Sequence, residues 1–396
     1  MKEINIIGMG MSEKTLTSEA LELIKKADIL IGAKRLINEF SHLNKPSFNA
    51  YLSDDILEII EKEDRERIAI LVSGDVGFYS AAEKLTDTLK NYDPNLIAGI
   101  SSVSYFFAKC RLPWKDANLI SCHGIDTNIV SSVGRNRFTF ALTGKNVPEL
   151  QKELDKFGFG DLKVWVGENL GSEEESIQET IISDLSGKEF SSLTVLIIEN
   201  PDFDSRIRTG IPDEEFIRGK VPMTKSEVRS VCLSKLSLSP NDIAYDIGCG
   251  TGSVTIEMAF SAYDGKVYAF DKNEEAIGLL EKNCEKFHLD NVEAICGLAP
   301  ECLEGLPVPD VAFIGGSSGN MDEIVSYLYG INSNMRFVIT AVTLENVMAG
   351  LNSLKNVGIS GDIVQVAVSK GKAIADLHML IAQNPIFIIS GSGQDE

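Results

Sequence analysis

Paired cysteines are missing from this sequence. Its seven, Cys110, Cys122, Cys232, Cys249, Cys284, Cys296 and Cys302, are scattered, odd in number and nowhere spaced C-x-x-C. That excludes a disulfide framework or zinc cage and leaves buried free thiols as the expectation. The four histidines, His42, His123, His288 and His378, lack ligand spacing as well, so no metal site is expected. Long apolar runs are absent too: none approaches the roughly 18–20 residues needed to cross a membrane. The opening "MKEINIIGMG" has no signal-peptide layout. A cytoplasmic protein with no membrane partner is expected. Positive charge is scarce, 37 Lys and Arg against 58 Asp and Glu, a formal net charge of −21. Nucleic acid, which needs a basic stripe, is therefore not an expected partner. An acidic small molecule remains possible, because salt confines the mean field to about 8 Å and a local cluster of cations decides.

What is present is an alternation. The 396 residues suffice for two domains. Short apolar segments, "INIIG" (4–8), "DILIG" (28–32), "IAILVSGD" (68–75) and "NLIAGI" (95–100), read as strands. Between them lie amphipathic stretches such as Leu16, Ala20, Leu23, Ile24 and Ala27 at helical spacing, and a helix from about 54 to 63 with Ser53 as its cap. "FTFALTG" (138–144), "KVWVGEN" (163–169) and "LTVLIIEN" (193–200) continue the series, which predicts parallel sheet with crossover helices. After Asn200 a stretch rich in proline, glycine and charge breaks the pattern, giving domains of 1–205 and 206–396. The alternation then restarts, and "GDIVQVAVS" (361–369) with "PIFIISG" (385–391) predicts an antiparallel edge on a doubly wound sheet.

The second half holds the sharpest local motif, "YDIGCGTGSVTIEMA" (245–259), a strand, a glycine turn and a helix. A dinucleotide fingerprint has a third glycine where Ser253 stands; here the extra glycine comes one step early, at Gly252. The helix N-terminus offers free N–H groups and partial positive charge. The tighter G-x-G-x-G turn of Gly248, Gly250 and Gly252 suits a smaller group, the amino-acid end of S-adenosylmethionine (SAM). Asp271, 23 positions after Gly248, stands where a carboxylate accepts from ribose hydroxyls, and "CGLAPE" (296–301) is placed to meet the adenine. A ligand-free turn and a nicotinamide or flavin dinucleotide are the competing readings.

These residues resemble a known family. "PMTKSEVRS", "DIGCGTGSVTIEMA", "GLAPECL", "FIGGSSGNMDEI", "TAVTLEN" and "NPIFII" are similar to the precorrin C15-methyltransferases that also decarboxylate their substrate. "LVSGDVGFYS", "GISSVSYFFAKCRLPWKDANLISCHG" and "VGENLGSEEESI" are similar to the C5-methyltransferases of the tetrapyrrole methylase class. Together they cover nearly the whole chain, in the order of the fused C5,15-methyltransferases of corrin ring synthesis. The resemblance implies a two-lobed tetrapyrrole methylase fold, then a Rossmann-like SAM methyltransferase domain with an antiparallel edge strand. It implies two SAM sites, a precorrin substrate and a homo-oligomer. The second site maps onto Thr224, Gly248, Gly250, Thr251, Gly252, Asp271 and Ala299; the family has Asp where Leu298 stands here, which removes a carboxylate beside the adenine. The first maps onto Gly74, Asp75, Ser101, Ser102, Leu142 and Thr143, in a cleft between lobes. There Met11, Val76 and Ala98 replace family prolines, which softens the cleft.

Methyl transfer from a sulfonium is an in-line displacement that asks mainly for positioning, and no general base can be named from the sequence. A polycarboxylate substrate calls for cations. Of six basic residues between 206 and 229, Lys225 and Arg229, one helical turn apart, are the expected substrate contacts. Gly315 and Gly316 in "GGSSGN", after a strand, would let a flat macrocycle approach the backbone. Lys34, Arg35 and His123 are weaker candidates. The alternative is a SAM-dependent methyltransferase of another substrate whose first half is only a SAM-binding or docking module.

Overall fold

The computed structural model describes residues 2–122, 127–374 and 376–393, and the chain divides into two units. One comprises Met1–Thr127, Asn136–Asp155 and Phe159–Phe203; the other comprises Asn128–Arg135, Lys156–Gly158 and Asp204–Glu396.

In the first unit, β1 (Glu3–Gly8), β2 (Ile29–Gly32), β3 (Ser47–Asn49), β4 (Arg67–Val72) and β5 (Asn95–Ile97) form a parallel sheet in the order β3-β2-β4-β1-β5. Both faces are buried. Ile4, Ile6, Ile29, Ile31, Ile68 and Ile70 enter one core cluster, while Ile7, Leu30, Ala69 and Leu71 enter another. That double burial is why these strands read as unbroken apolar runs. A second sheet holds β6 (Asn118–Ser121), β7 (Phe138–Leu142), β8 (Lys163–Glu168), β9 (Ser176–Ile181) and β10 (Thr194–Glu199) in the order β6-β7-β10-β8-β9. Here the expectation of parallel pairing fails. Only β6 and β7 run parallel; β10 returns antiparallel between β7 and β8, and β8 pairs antiparallel with β9. Ser53 is the first residue of the helix Ser53–Lys62, whose cap position is Leu52, so it does not cap that helix.

The second unit carries β11 (Ile243–Ile247), β12 (Lys266–Asp271), β13 (Val292–Cys296), β14 (Val311–Ile314), β15 (Arg336–Ala341), β16 (Asp362–Val366), β17 (Ser369–Ile374), β18 (Leu377–Ala382) and β19 (Ile386–Ser392). Seven of these form one sheet ordered β13-β12-β11-β14-β15-β19-β16. The first five are parallel, and β19 is antiparallel to both β15 and β16, the expected antiparallel margin. The strand order reverses between β11 and β14, the crevice where doubly wound sheets bind ligands. β17 and β18 make a separate antiparallel ribbon that the sequence pattern did not suggest.

The segment before this sheet is no solvated linker. Ile211 and Phe216 are buried in its core. Glu257 accepts from the N–H groups of Gly210 and Ile211, both at 2.9 Å, and Asn283 accepts from Ile217 at 2.8 Å. The arm therefore lies along the unit and delivers Thr224 and Lys225 to the crevice.

Candidate functional site

In the second unit a cavity of about 610 Å³ opens at the carboxyl ends of the parallel strands. Thr224, Lys225, Gly248, Gly250, Asp271, Leu298, Ala299, Gly315 and Gly316 line it, so most of the residues expected at this site converge. The turn needs its glycines. Gly248 has φ 76°, and a Cβ there would lie 2.7 Å from the Gly316 nitrogen; Gly250 has φ 56°, and a Cβ would meet the Pro222 carbonyl at 2.7 Å. Asp271 ends β12 and braces the turn: Oδ2 accepts from Gly250 N and Oδ1 from Asn273 N, each at 3.0 Å. A carboxylate oxygen keeps a second lone pair, so both remain able to accept from a diol. A cradle floored by backbone, with a carboxylate one strand away, fits the amino-acid and ribose parts of SAM. Leu298, 42% exposed, makes the side expected to meet the adenine apolar, and Ala299 is fixed there by the amide of Asn320, which donates to its carbonyl at 3.1 Å.

Two residues of the motif do not reach the cavity. Gly252 (φ 76°) precedes the helix Ser253–Ser261, and a Cβ on it would collide with Leu280 at 2.4 Å. Its role is helix packing, the one the dinucleotide fingerprint gives to its third glycine. Thr251 is buried, and its hydroxyl finds no partner.

Arg229 is the clearest correction. It is fully buried and absent from the cavity wall. Its Nε donates to Glu257 at 2.5 Å, one terminal nitrogen donates to the Thr224 carbonyl at 2.5 Å and lies 3.5 Å from Asp213, and the other donates to the Ile211 carbonyl. Its plane lies over Phe216, 4.8 Å from the ring centroid. With its donors so committed it pins the arm and leaves no fork for a substrate carboxylate. Lys225 does line the cavity, with Nζ 3.6 Å from Asp213. Lys272, next to Asp271, lines it too; sequence reading passed over it, although its adjacency to the ribose carboxylate was the available signal. Asp246 lies buried behind the turn. Burial pushes its carboxyl up to about 7, against a hydrogen bond from Thr255 that pulls the other way.

The first unit has its own cavity, of about 780 Å³, lined by Gly74, Asp75, Ser102 and Leu142 among the expected residues. Ser101 instead caps the helix Ser102–Lys109, accepting from Ser104 N at 3.2 Å. Thr143 is buried and donates to the Thr194 carbonyl at 3.0 Å. Asp75 spends its carboxylate on the loops: one oxygen accepts from Gly77 N at 2.8 Å, the other from Gly99 N at 3.1 Å. These amides flank Val76 and Ala98, so a side-chain tie joins the two loops that lack proline. Arg35 reaches the cavity and donates to Ser73 at 2.8 Å; Lys34 does not reach it. Tyr79 (φ 44°) and Asn169 (φ 47°) also line it. Left-handed backbone at an aromatic residue is costly, and such strain clusters at ligand sites; no sequence pattern announces it. His123 lies outside the described residues.

Among the described residues no three His, Cys, Asp or Glu side chains gather to hold a metal ion, and no helix is long and apolar enough to cross a membrane.

Comparison with known proteins gives two family matches: residues 215–391 match the precorrin methyltransferase domain, and residues 3–186 match the tetrapyrrole (corrin/porphyrin) methylases. Over 185 residues the chain is 42% identical to the Sulfurisphaera tokodaii protein named probable cobalt-precorrin-6B C(15)-methyltransferase (decarboxylating), covering 46% of this chain and 96% of that protein. The protein of the same name from Methanothermobacter thermautotrophicus is 37% identical over 183 residues, 45% of this chain and 94% of the other. Among solved structures, the precorrin-6Y C5,15-methyltransferase of Geobacter metallireducens aligns at 36% identity and a TM-score of 0.45, over 47% of this chain and 98% of that one.

Proposed function

This chain belongs to the precorrin methyltransferase family, and from that premise we propose that its second unit methylates a precorrin-6B-type ring at C15 while releasing carbon dioxide, and that its first unit methylates the same ring system at C5. Enzymes of this family take their methyl group from SAM, which supplies an activated sulfonium carbon. The reading gives the chain two SAM sites, one per unit.

The observation that carries the reading is the second cavity. Gly248 and Gly250 present bare backbone at the head of the crevice, Asp271 offers acceptors one strand away, and Gly315 and Gly316 keep the facing loop free of side chains. A flat macrocycle and a nucleoside can approach from opposite sides of that opening. Lys225 and Lys272 supply charge for the ring carboxylates. Arg229 positions this machinery by holding the Thr224 carbonyl.

Self-association is part of the proposal. The ribbon β17–β18 exposes Leu377 (75%), Leu380 (73%), Met379, Ile374 and Ile381. A two-stranded ribbon is marginal in water unless something covers it, and a second copy of the chain is the occupant proposed here. Light scattering on the wild type and on a variant with Leu377 and Leu380 changed to Ser tests this; a monomeric wild type would remove it.

The reaction is tested by incubating the chain with SAM and precorrin-6B, with and without cobalt in the ring, and weighing the products. The expected product gains two methyl groups and loses one carboxylate. A product with one new methyl and every carboxylate intact would refute the C15 assignment.

A further inference from the structure

The charges on the second cavity are unevenly placed. Its three charged linings are Asp271, Lys272 and Lys225. Asp271 and Lys272 sit at the end of β12, where the nucleoside is placed. Across the crevice, the end of β15, the start of the helix Leu344–Asn356 and the base of the β17–β18 ribbon contribute Thr340, Asn346, Gln383 and Asn384, none of them charged; among the described residues the ribbon's Lys370 lies outside the lining and is paired with Glu227 at 3.0 Å. The ribbon base is held shut by Gln383 N donating to the Val368 carbonyl at 2.9 Å. The helix that begins here adds little positive potential: Thr343 caps it, accepting from Asn346 N at 3.3 Å, and Glu345 sits in its first turn.

We infer that this uncharged amide wall receives the carboxylate that is lost, while Lys225 and Lys272 face carboxylates that are kept. The inference rests on the decarboxylating reading above. The step balances without a further reagent. The bond from carbon to the carboxylate breaks and carbon dioxide leaves. The electron pair enters the conjugated macrocycle and emerges in the new bond from ring carbon to methyl. The bond from sulfur to methyl breaks with its pair retained on sulfur. One negative and one positive charge disappear together, so no general base is required. A cation held against the leaving carboxylate would favour the charged ground state over a transition state whose charge has moved into the ring, and interactions stronger in the ground state slow the reaction. Neutral amides orient the carboxylate through hydrogen bonds weaker than charge-assisted ones. Asn346, Gln383 and Asn384 are accordingly positioning residues for the departing group.

The test places a cation on the wall. In full-length Asn384→Lys and Asn346→Lys, carbon dioxide release and methyl transfer are measured at saturating SAM, with SAM affinity followed by calorimetry. Expected is at least a tenfold fall in kcat, a KM for the tetrapyrrole that is unchanged or lower, and unaltered SAM affinity. Asn384→Ser, neutral but shorter, should lose less kcat than Asn384→Lys, because it places no cation on the wall. Undiminished kcat in both lysine variants would overturn the assignment, as would loss of decarboxylation at saturating substrate in Lys272→Met. A wild-type chain that never releases carbon dioxide overturns the reaction reading and the wall with it; that failure differs from the first by being present in every variant.

Discussion

The two cavities are of similar size and opposite electrical character. In the first unit Glu13, Glu39, Asp75, Glu173 and Glu174 line the space against Lys14 and Arg35; in the second, Asp271 stands against Lys225 and Lys272. By lining charge the second wall is the more favourable to a polycarboxylate, so the first must offset the charge of the same proposed ring by other contacts. Their construction differs as well. The second site rests on a turn whose glycines touch neighbouring backbone, anchored by a buried ion network. The first is stitched by loop hydrogen bonds, with Asp75 as the side-chain tie and Gly10 bridged to Gly74 through their backbones, at 3.0 and 3.1 Å. On the proposed reading, the difference teaches that one donor chemistry can be served by a rigid glycine cradle or by a tied set of loops. The substrate's charge must then be met in different ways.

The most forceful way to break the comparison is Arg229→Met. It leaves Glu257 buried without its partner, and stranding a buried charge costs about 3–5 kcal/mol. Calorimetry should show the second unit melting earlier while the first keeps its transition. If both shift together, the network does not belong to the second unit alone. Next comes the pH dependence from Asp246. Its folded carboxyl is pushed up to about 7 by burial, above an unfolded value of about 3.9. The stabilisation from its proton is therefore complete below pH ~4 and lost as pH rises through ~7. Asp246→Asn should flatten the decline in the second unit's urea stability between about pH 4 and 7. An unchanged slope would show that other groups cause it.

How far the sequence disclosed this follows from how local each feature is. The turn at 248–252 and Asp271 were readable because a glycine at positive φ and a carboxylate at a strand end depend on their immediate neighbours. Arg229 was misread because helical spacing put it beside Lys225. Its fate is decided by Glu257, on the next helix, and by Asp213 in the arm. The parallel sheet of β1 to β5 was legible from runs apolar on both faces. The antiparallel return of β10 was not, since an apolar strand carries no mark of its direction. The β17–β18 ribbon was missed because exposure on both faces removes the alternation by which strands are recognised.

A smaller perturbation separates the two proposed SAM sites. Gly248→Ala forces a Cβ to within 2.7 Å of the Gly316 backbone in a left-handed turn. Strain of about 1–3 kcal/mol corresponds to up to about a hundredfold loss of SAM affinity. Titration of the wild type should show two SAM sites and of the variant one, at working concentrations. Two unchanged sites would mean that the cradle does not hold the donor.

The charge contrast itself gives the smallest effects and the sharpest signs. Neutralising acids on the first wall with the double change Glu173→Gln and Glu174→Gln should lower the KM of C5 methylation. Lys272→Met should raise that of C15 methylation. Exposed charges act through water, so each change is about 0.2–1 kcal/mol, a few-fold in KM. Both must fade as ionic strength rises toward 1 M, where the screening length falls to about 3 Å. The two variants should move in opposite directions at low salt and converge on the wild type at high salt. Movement in the same direction would mean that the macrocycle's carboxylates do not face these residues, and that the first cavity's acidity reflects its donor rather than its substrate.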